Sequence, residues 1–121
     1  MPVDGYISQG IKSEDSHNGI DIASTFNSKV YATQDGLVIF SNYIEKHGNM
    51  IIIDHGEEYS TVYANLDEIL VYENDYVSFG TVIGKVSKTG NKKQLLHFEI
   101  WQKSSIIDPQ KIIQEYREND V

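Results

Sequence analysis

The sequence predicts a mainly antiparallel β domain closed by one short C-terminal helix. Three observations lead there. Apolar residues recur at period two in short runs, as where Leu95, His97, Glu99 and Trp101 alternate with Leu96, Phe98 and Ile100. Turn signals punctuate those runs, at Asp35-Gly36, at residues 45–48 and at Gly56-Glu57-Glu58. A helical pattern occurs only near the end, over residues 108–117: Asp108 caps it, Pro109 opens it, and Ile112, Ile113 and Tyr116 share a side. Many short strands with one terminal helix make a β-rich architecture.

Taken in order, residues 6–8 form a first short strand, and a polar, turn-rich loop runs to residue 18. Residues 20–23 read as strand and 24–29 as a connection of low apolar content. Strands over 30–33 and 36–43 are split at Asp35-Gly36. Residues 49–55 and 59–64 form a hairpin around Gly56-Glu57-Glu58. A short helical turn is expected over 66–70. Val71, Tyr72, Tyr76, Val77, Val82, Ile83 and Val86, set around Gly80 and Gly84, read as further short strands with tight bends. A loop over 87–94 leads to the strand at 95–101, and residues 103–105 turn the chain toward the helix. With no linker, repeat or low-complexity tract, one domain is expected over residues 1–121, its core at about 6–113.

A chain of 121 residues is long enough to bury a core without staples. A net charge of −8 argues against nucleic acid or an anionic membrane as the main partner. The absence of Cys removes disulfides and thiolate metal sites. No apolar run approaches the 18 residues of a membrane span. The start, Met-Pro-Val-Asp-Gly, carries neither a charged nor an apolar leader pattern, so no signal peptide is expected within these residues.

The chemistry-bearing residues are His17 and Asp21, in His17-Asn18-Gly19-Ile20-Asp21, and His97 in the late strand. Two imidazoles and a carboxylate make a zinc donor set if the fold brings the strands together. Singly, His17 reads as a loop histidine, Asp21 as a turn carboxylate and His97 as a core histidine.

In context these pieces resemble a family. His17-x-Gly19-x-Asp21, Val30-Tyr31-Ala32 with Asp35-Gly36-x-Val38, Gly48-Asn49 with Ile53-Asp54-His55-Gly56, Thr61-x-Tyr63-Ala64 and Leu96-His97-Phe98-Glu99 resemble the lysostaphin-type, LytM-like zinc endopeptidases of bacterial cell walls. The likeness runs in order over residues 7–113. It implies a LytM-like β-sheet domain, Zn²⁺ held by His17, Asp21 and His97, and His47, Asn49, Tyr63, Asn65, Leu95 and Glu99 either along the groove or, as for Glu99, behind the metal donors. His55 has a hairpin-end structural role by the same likeness.

The departures matter more. The family places a non-ligand histidine two residues before the last ligand, where this chain has Leu95, and another after the hairpin strand, where it has Asn65. General acid–base help is worth roughly 10²–10⁴ in rate and an oxyanion donor about 10²–10³. Leu95 supplies neither, and Asn65 carries no proton. The approach to the late strand, Asn91-Lys92-Lys93-Gln94, also lacks the family's small residues.

The resemblance therefore implies a non-catalytic, extracytoplasmic domain of the periplasm or cell envelope. It would bind peptidoglycan or an envelope partner and regulate cell-wall hydrolysis, for example by activating an amidase. An anchor or export signal is then expected outside these residues. The alternative is a slow or re-specialised zinc metalloendopeptidase cleaving peptidoglycan cross-bridges, with His47 or a partner supplying the missing group. A third class rests on residues 77–84, which resemble the turn of lipoyl or biotinyl carriers. A carrier needs a Lys at a hairpin tip, and a phosphocarrier needs two close histidines, for which Asn65 leaves no candidate.

Overall fold

Alternation decides which side of each strand is buried. In β12 (Leu95–Gln102), Leu96, Phe98 and Ile100 are buried, while Leu95, His97, Glu99 and Trp101 are half-buried on the opposite face. β2 (Ile20–Ser24) does the same, with Ile20 and Ile22 fully buried on either side of Asp21. The computed structural model describes residues 5–9, 19–24, 28–86, 88–89, 92–93, 95–102 and 105–107.

The remaining elements of the large sheet are β1 (Gly5–Gln9), β4 (Gly36–Ile44), β5 (Gly48–Gly56), β6 (Tyr59–Leu66) and β8 (Tyr76–Val77). Their order is β1-β2-β12-β6-β5-β4-β8, every pairing antiparallel. β13 (Ser105–Ile107) folds back on the end of β12. A second, three-stranded sheet has β9 (Val82–Val86) between β3 (Ser28–Tyr31) and β7 (Glu68–Ile69). β10 (Lys88–Thr89) and β11 (Lys92–Lys93) make a small hairpin within the loop expected before β12.

One buried cluster joins the two sheets. Ile20, Ile22, Ile51, Ile53, Tyr63, Leu96 and Phe98 come from the large sheet and Val30, Ile83 and Val86 from the small one. The Tyr63 and Phe98 rings meet at 5.4 Å between centroids, tilted by 49°. The opposite face of the large sheet carries a smaller cluster, Met50, Val62 and Ala64, with Phe40, Ile52 and Trp101 packed on it.

The expected mainly antiparallel β architecture is what the described residues show. The expected hairpin is β5–β6, closed by Glu57 and Glu58 as a two-residue turn. Both have left-handed φ, 52° and 67°, as that turn type requires, although the sequence offers glutamates instead of Asn-Gly. Three local readings change. Residues 66–70 are not a helical turn: Asp67 N–H and Leu70 N–H donate to Lys85 and Ile83 carbonyls, which draws this stretch into the small sheet as β7. The strand expected at 30–33 is shifted to Ser28–Tyr31, set by its pairing with β9. Ser105, expected in a turn, begins β13. The helix expected at 108–117 lies outside the described residues.

Candidate metal centre

Asp21 and His97 face each other because β2 and β12 pair in a register that sets them directly opposite. Opposed residues of an antiparallel pair hold their Cβ atoms roughly 4.5–5.5 Å apart. Burial of Ile20, Ile22, Leu96 and Phe98 fixes that register, since a slip of one residue would turn the apolar side chains out. Gly19 lets the start of β2 lie close: a Cβ there would strike the Phe98 carbonyl oxygen and come within 2.7 Å of Glu99 Cγ.

The side chains then form a chain of hydrogen bonds. His97 Nδ1 lies 2.8 Å from Asp21 Oδ1, and His97 Nε2 lies 2.7 Å from Glu99 Oε2. The other Glu99 oxygen accepts from Trp101 Nε1–H at 2.7 Å. The His97, Asp21 and Glu99 side chains are only 20%, 17% and 15% exposed, so these bonds act in a shielded setting. Burial opposes a charge on His97, but its bonds to Asp21 and Glu99, with their charges, outweigh it and push the imidazolium up to about 9. Burial likewise opposes ionisation of Glu99. Its bonds to His97 and Trp101, with the charges of His97 and His47, hold it below the usual carboxylate range.

Asn65 and Leu95, where the resemblance leads one to expect histidines, lie side by side. Leu95 is half-buried, two residues before His97 on its face. Asn65 has φ +64°, a left-handed conformation that Asn tolerates. The β6–β12 ladder ends at the Ala64–His97 pair, and beyond it Asn65 Nδ2 donates to the Leu95 carbonyl at 2.7 Å. A side chain thus continues the pairing where the backbone turns away.

The other candidates scatter. His47 is exposed in the β4–β5 turn, and its carbonyl accepts from Asn65 N–H at 2.9 Å. Its charge contributes to the lowering of Glu99, which sets it beside this centre. Asn49 straps the end of β6, donating to the Leu66 and Asp67 carbonyls at 3.0 and 3.3 Å. Tyr63, expected along the groove, is instead in the core. Its phenol oxygen accepts from Thr61 Oγ1 at 2.9 Å and meets Thr33 Oγ1 at 3.0 Å. Burial raises that phenol above its ordinary range despite these bonds. His55 joins the Asp35 carbonyl to Thr61 Oγ1, each at 2.7 Å, which is the hairpin-end role expected of it. A cleft of about 330 Å³ opens beside His55, Thr61 and Tyr59, at the end of β6 away from Asp21 and His97.

The sequence reading missed two of these bonds, Trp101 on Glu99 and Asn65 on the Leu95 carbonyl. The first was foreshadowed by the spacing of His97, Glu99 and Trp101 on one strand face. The second had no local sequence signal.

Do these residues suit zinc? Bonds of about 2.0–2.1 Å at tetrahedral angles put two donors about 3.3 Å apart. Nδ1 and Oδ1, at 2.8 Å, need part by only about half an ångström. Zinc-binding histidines typically give their other N–H to a carboxylate, and Glu99 stands at Nε2 for that. The pair suits a metal ion. His17 lies outside the described residues, and among the described residues no group of three or more such side chains gathers as a metal cage.

Comparison with known proteins extends the likeness over most of the chain. The family model described as peptidase family M23 matches residues 15–109. The murein hydrolase activator NlpD of Salmonella dublin is 37% identical over 110 residues, covering 89% of this chain and 29% of that protein. Its namesake in Escherichia coli (strain K12) is 39% identical over 98 residues, covering 80% and 26%. This chain thus spans less than a third of these relatives' length. Among solved structures, a zinc containing peptidase from Vibrio cholerae superposes with a TM-score of 0.80 at 31% identity, over 90% of this chain and 37% of that one.

Proposed function

Because this chain belongs to peptidase family M23 yet carries Asn65 and Leu95 where the family keeps histidines, we propose that it is a non-catalytic regulator of cell-wall hydrolysis. It works in the bacterial cell envelope, binding peptidoglycan or an envelope partner, and activation of a peptidoglycan amidase is the form favoured by the relatives named murein hydrolase activator.

The observation that carries this reading is the bond from Asn65 Nδ2 to the Leu95 carbonyl. The two positions that would supply acid–base help and oxyanion stabilisation are tied to one another, and neither holds a group that titrates near neutrality. The centre is preserved in its donors and altered in its proton-handling groups.

Asp21 and His97, with His17 as third donor, would hold Zn²⁺. When bound, the ion supplies a Lewis acid that brings a bound water to a pKa of about 7. Asp21 and His97 would orient it, and Glu99 would hold the His97 ring. Leu95, half-buried two residues before His97, has no group that moves a proton. In this reading the metal fixes the groove-lining ends of β2 and β12.

The test is release of soluble fragments from purified sacculi. The zinc-loaded domain alone is expected to release no more than a His97→Ala control, and to raise release when a peptidoglycan amidase is added. Metal-dependent release by the domain alone overturns this reading in favour of a re-specialised endopeptidase. His47, beside Glu99, is then the first residue to replace.

A further inference from the structure

We infer that Glu99 and Trp101 are positioning residues that preset which nitrogen of His97 keeps its proton when a metal ion binds, and so leave the Nδ1 lone pair for that ion. The inference rests on the zinc reading above and deepens it.

The argument is a count of donors and acceptors. An indole N–H only donates, so Trp101 Nε1 occupies Glu99 Oε1 as an acceptor. Glu99 Oε2 then accepts from His97 Nε2–H. Asp21 Oδ1 likewise only accepts, so the metal-free ring donates from both nitrogens; where a metal ion takes the place of the Nδ1 proton, the Nε2–H held by Glu99 stays and the Nδ1 lone pair faces the ion. His97, Glu99 and Trp101 are alternate residues of one strand, so the three rest on the same face over β6, where Val62 and Ala64 floor the site. The carboxylate matters because it accepts twice. Two N–H donors point at it, one at each oxygen.

A glutamine at this position accepts with only one atom. If Trp101 keeps the amide oxygen, the amide NH₂ faces His97 Nε2, which must then accept. The imidazole proton moves to Nδ1, where it donates to Asp21. The bonds among these four residues are kept, but a proton stands where the metal would bind. Removing the indole N–H frees the amide to rotate and present its oxygen to Nε2, which restores the binding tautomer. A merely structural role for Glu99 has no reason to show such a rescue.

The experiment is a zinc titration by calorimetry, against a competing chelator, of the wild-type chain, E99Q, W101F and the E99Q/W101F double variant. Melts of the metal-free proteins confirm folding. Long-range ¹H–¹⁵N spectra of the zinc-loaded forms read the His97 ring. E99Q is expected to bind zinc about 10–100-fold more weakly, W101F less than about tenfold more weakly, and the double variant more tightly than E99Q. The wild-type spectrum should show the metal on Nδ1 and the proton on Nε2. Equal affinity in wild type and E99Q, or a double variant no tighter than E99Q, overturns the inference while the zinc reading stands. A wild-type chain that binds no zinc overturns the zinc reading itself.

Discussion

His55 and His97 are each engaged at both ring nitrogens, but by partners of different kinds. His55 lies between a backbone carbonyl and the Thr61 hydroxyl, and the bonding continues through Tyr63 to Thr33. All of these partners are neutral. His97 lies between two carboxylates. The first network joins the β3–β4 connection to β6, which is the work of a fold. The second encloses a ring between two negative charges and is arranged for a cation, a proton or a metal.

The largest effect should separate the two networks by metal affinity. His97→Ala is expected to lower zinc affinity by more than about 10³-fold, since a donor is lost outright. His55→Ala should leave it within about threefold. Calorimetry measures both, and equal losses would mean that the networks are coupled.

Stability should show the reverse. Tyr63→Phe removes the phenol oxygen that serves Thr61 and Thr33, taking one partner from buried Thr61 and the acceptor of Thr33 N–H. A loss of about 1–3 kcal/mol is expected in urea melts, with zinc affinity unchanged.

A third test is pH, applied to the metal-free protein. His97 is raised from its ordinary 6.5 to about 9, so its contribution is complete below pH 6.5 and disappears as pH rises through 9. The lowered Glu99 contributes above the usual carboxylate range and loses that contribution in acid. Melts of the chelated chain should therefore decline between pH 6.5 and 9 by on the order of 1–2 kcal/mol, after discounting for solvent. His97→Gln should flatten that decline, whereas His55→Gln should not.

The smallest effect concerns the turn beside His55. Replacing Glu57-Glu58 by Asn-Gly relieves two left-handed glutamates and is expected to stabilise by about 0.5–1 kcal/mol. An unchanged melting temperature would show that these residues gain contacts equal to their strain.

Much of this was legible in the sequence where one strand face is polar and the other apolar. Leu96, Phe98 and Ile100 announce their burial, and His97 therefore stands on the site side. The register with β2 follows from Ile20 and Ile22, which leaves Asp21 opposite. β6 is less readable because Val62, Tyr63 and Ala64 are apolar on both faces, and alternation then does not say that Tyr63 belongs to the core. Residues 66–70 were misread for another reason. The short apolar pattern fits a helical turn locally, but carbonyls of Ile83 and Lys85, far along the chain, claim its N–H groups. Asn65 holding the Leu95 carbonyl is likewise a contact across thirty residues, and no local rule reports it.

Gly19 widens the genetic footprint of the centre. It donates nothing to a metal, yet any side chain there would collide with the Phe98 carbonyl and with Glu99, the residue that holds the His97 ring. A mutational scan selecting for loss of the centre should therefore recover Gly19 beside the donors themselves. At that position bulk alone is disabling, and even alanine should score as a null allele.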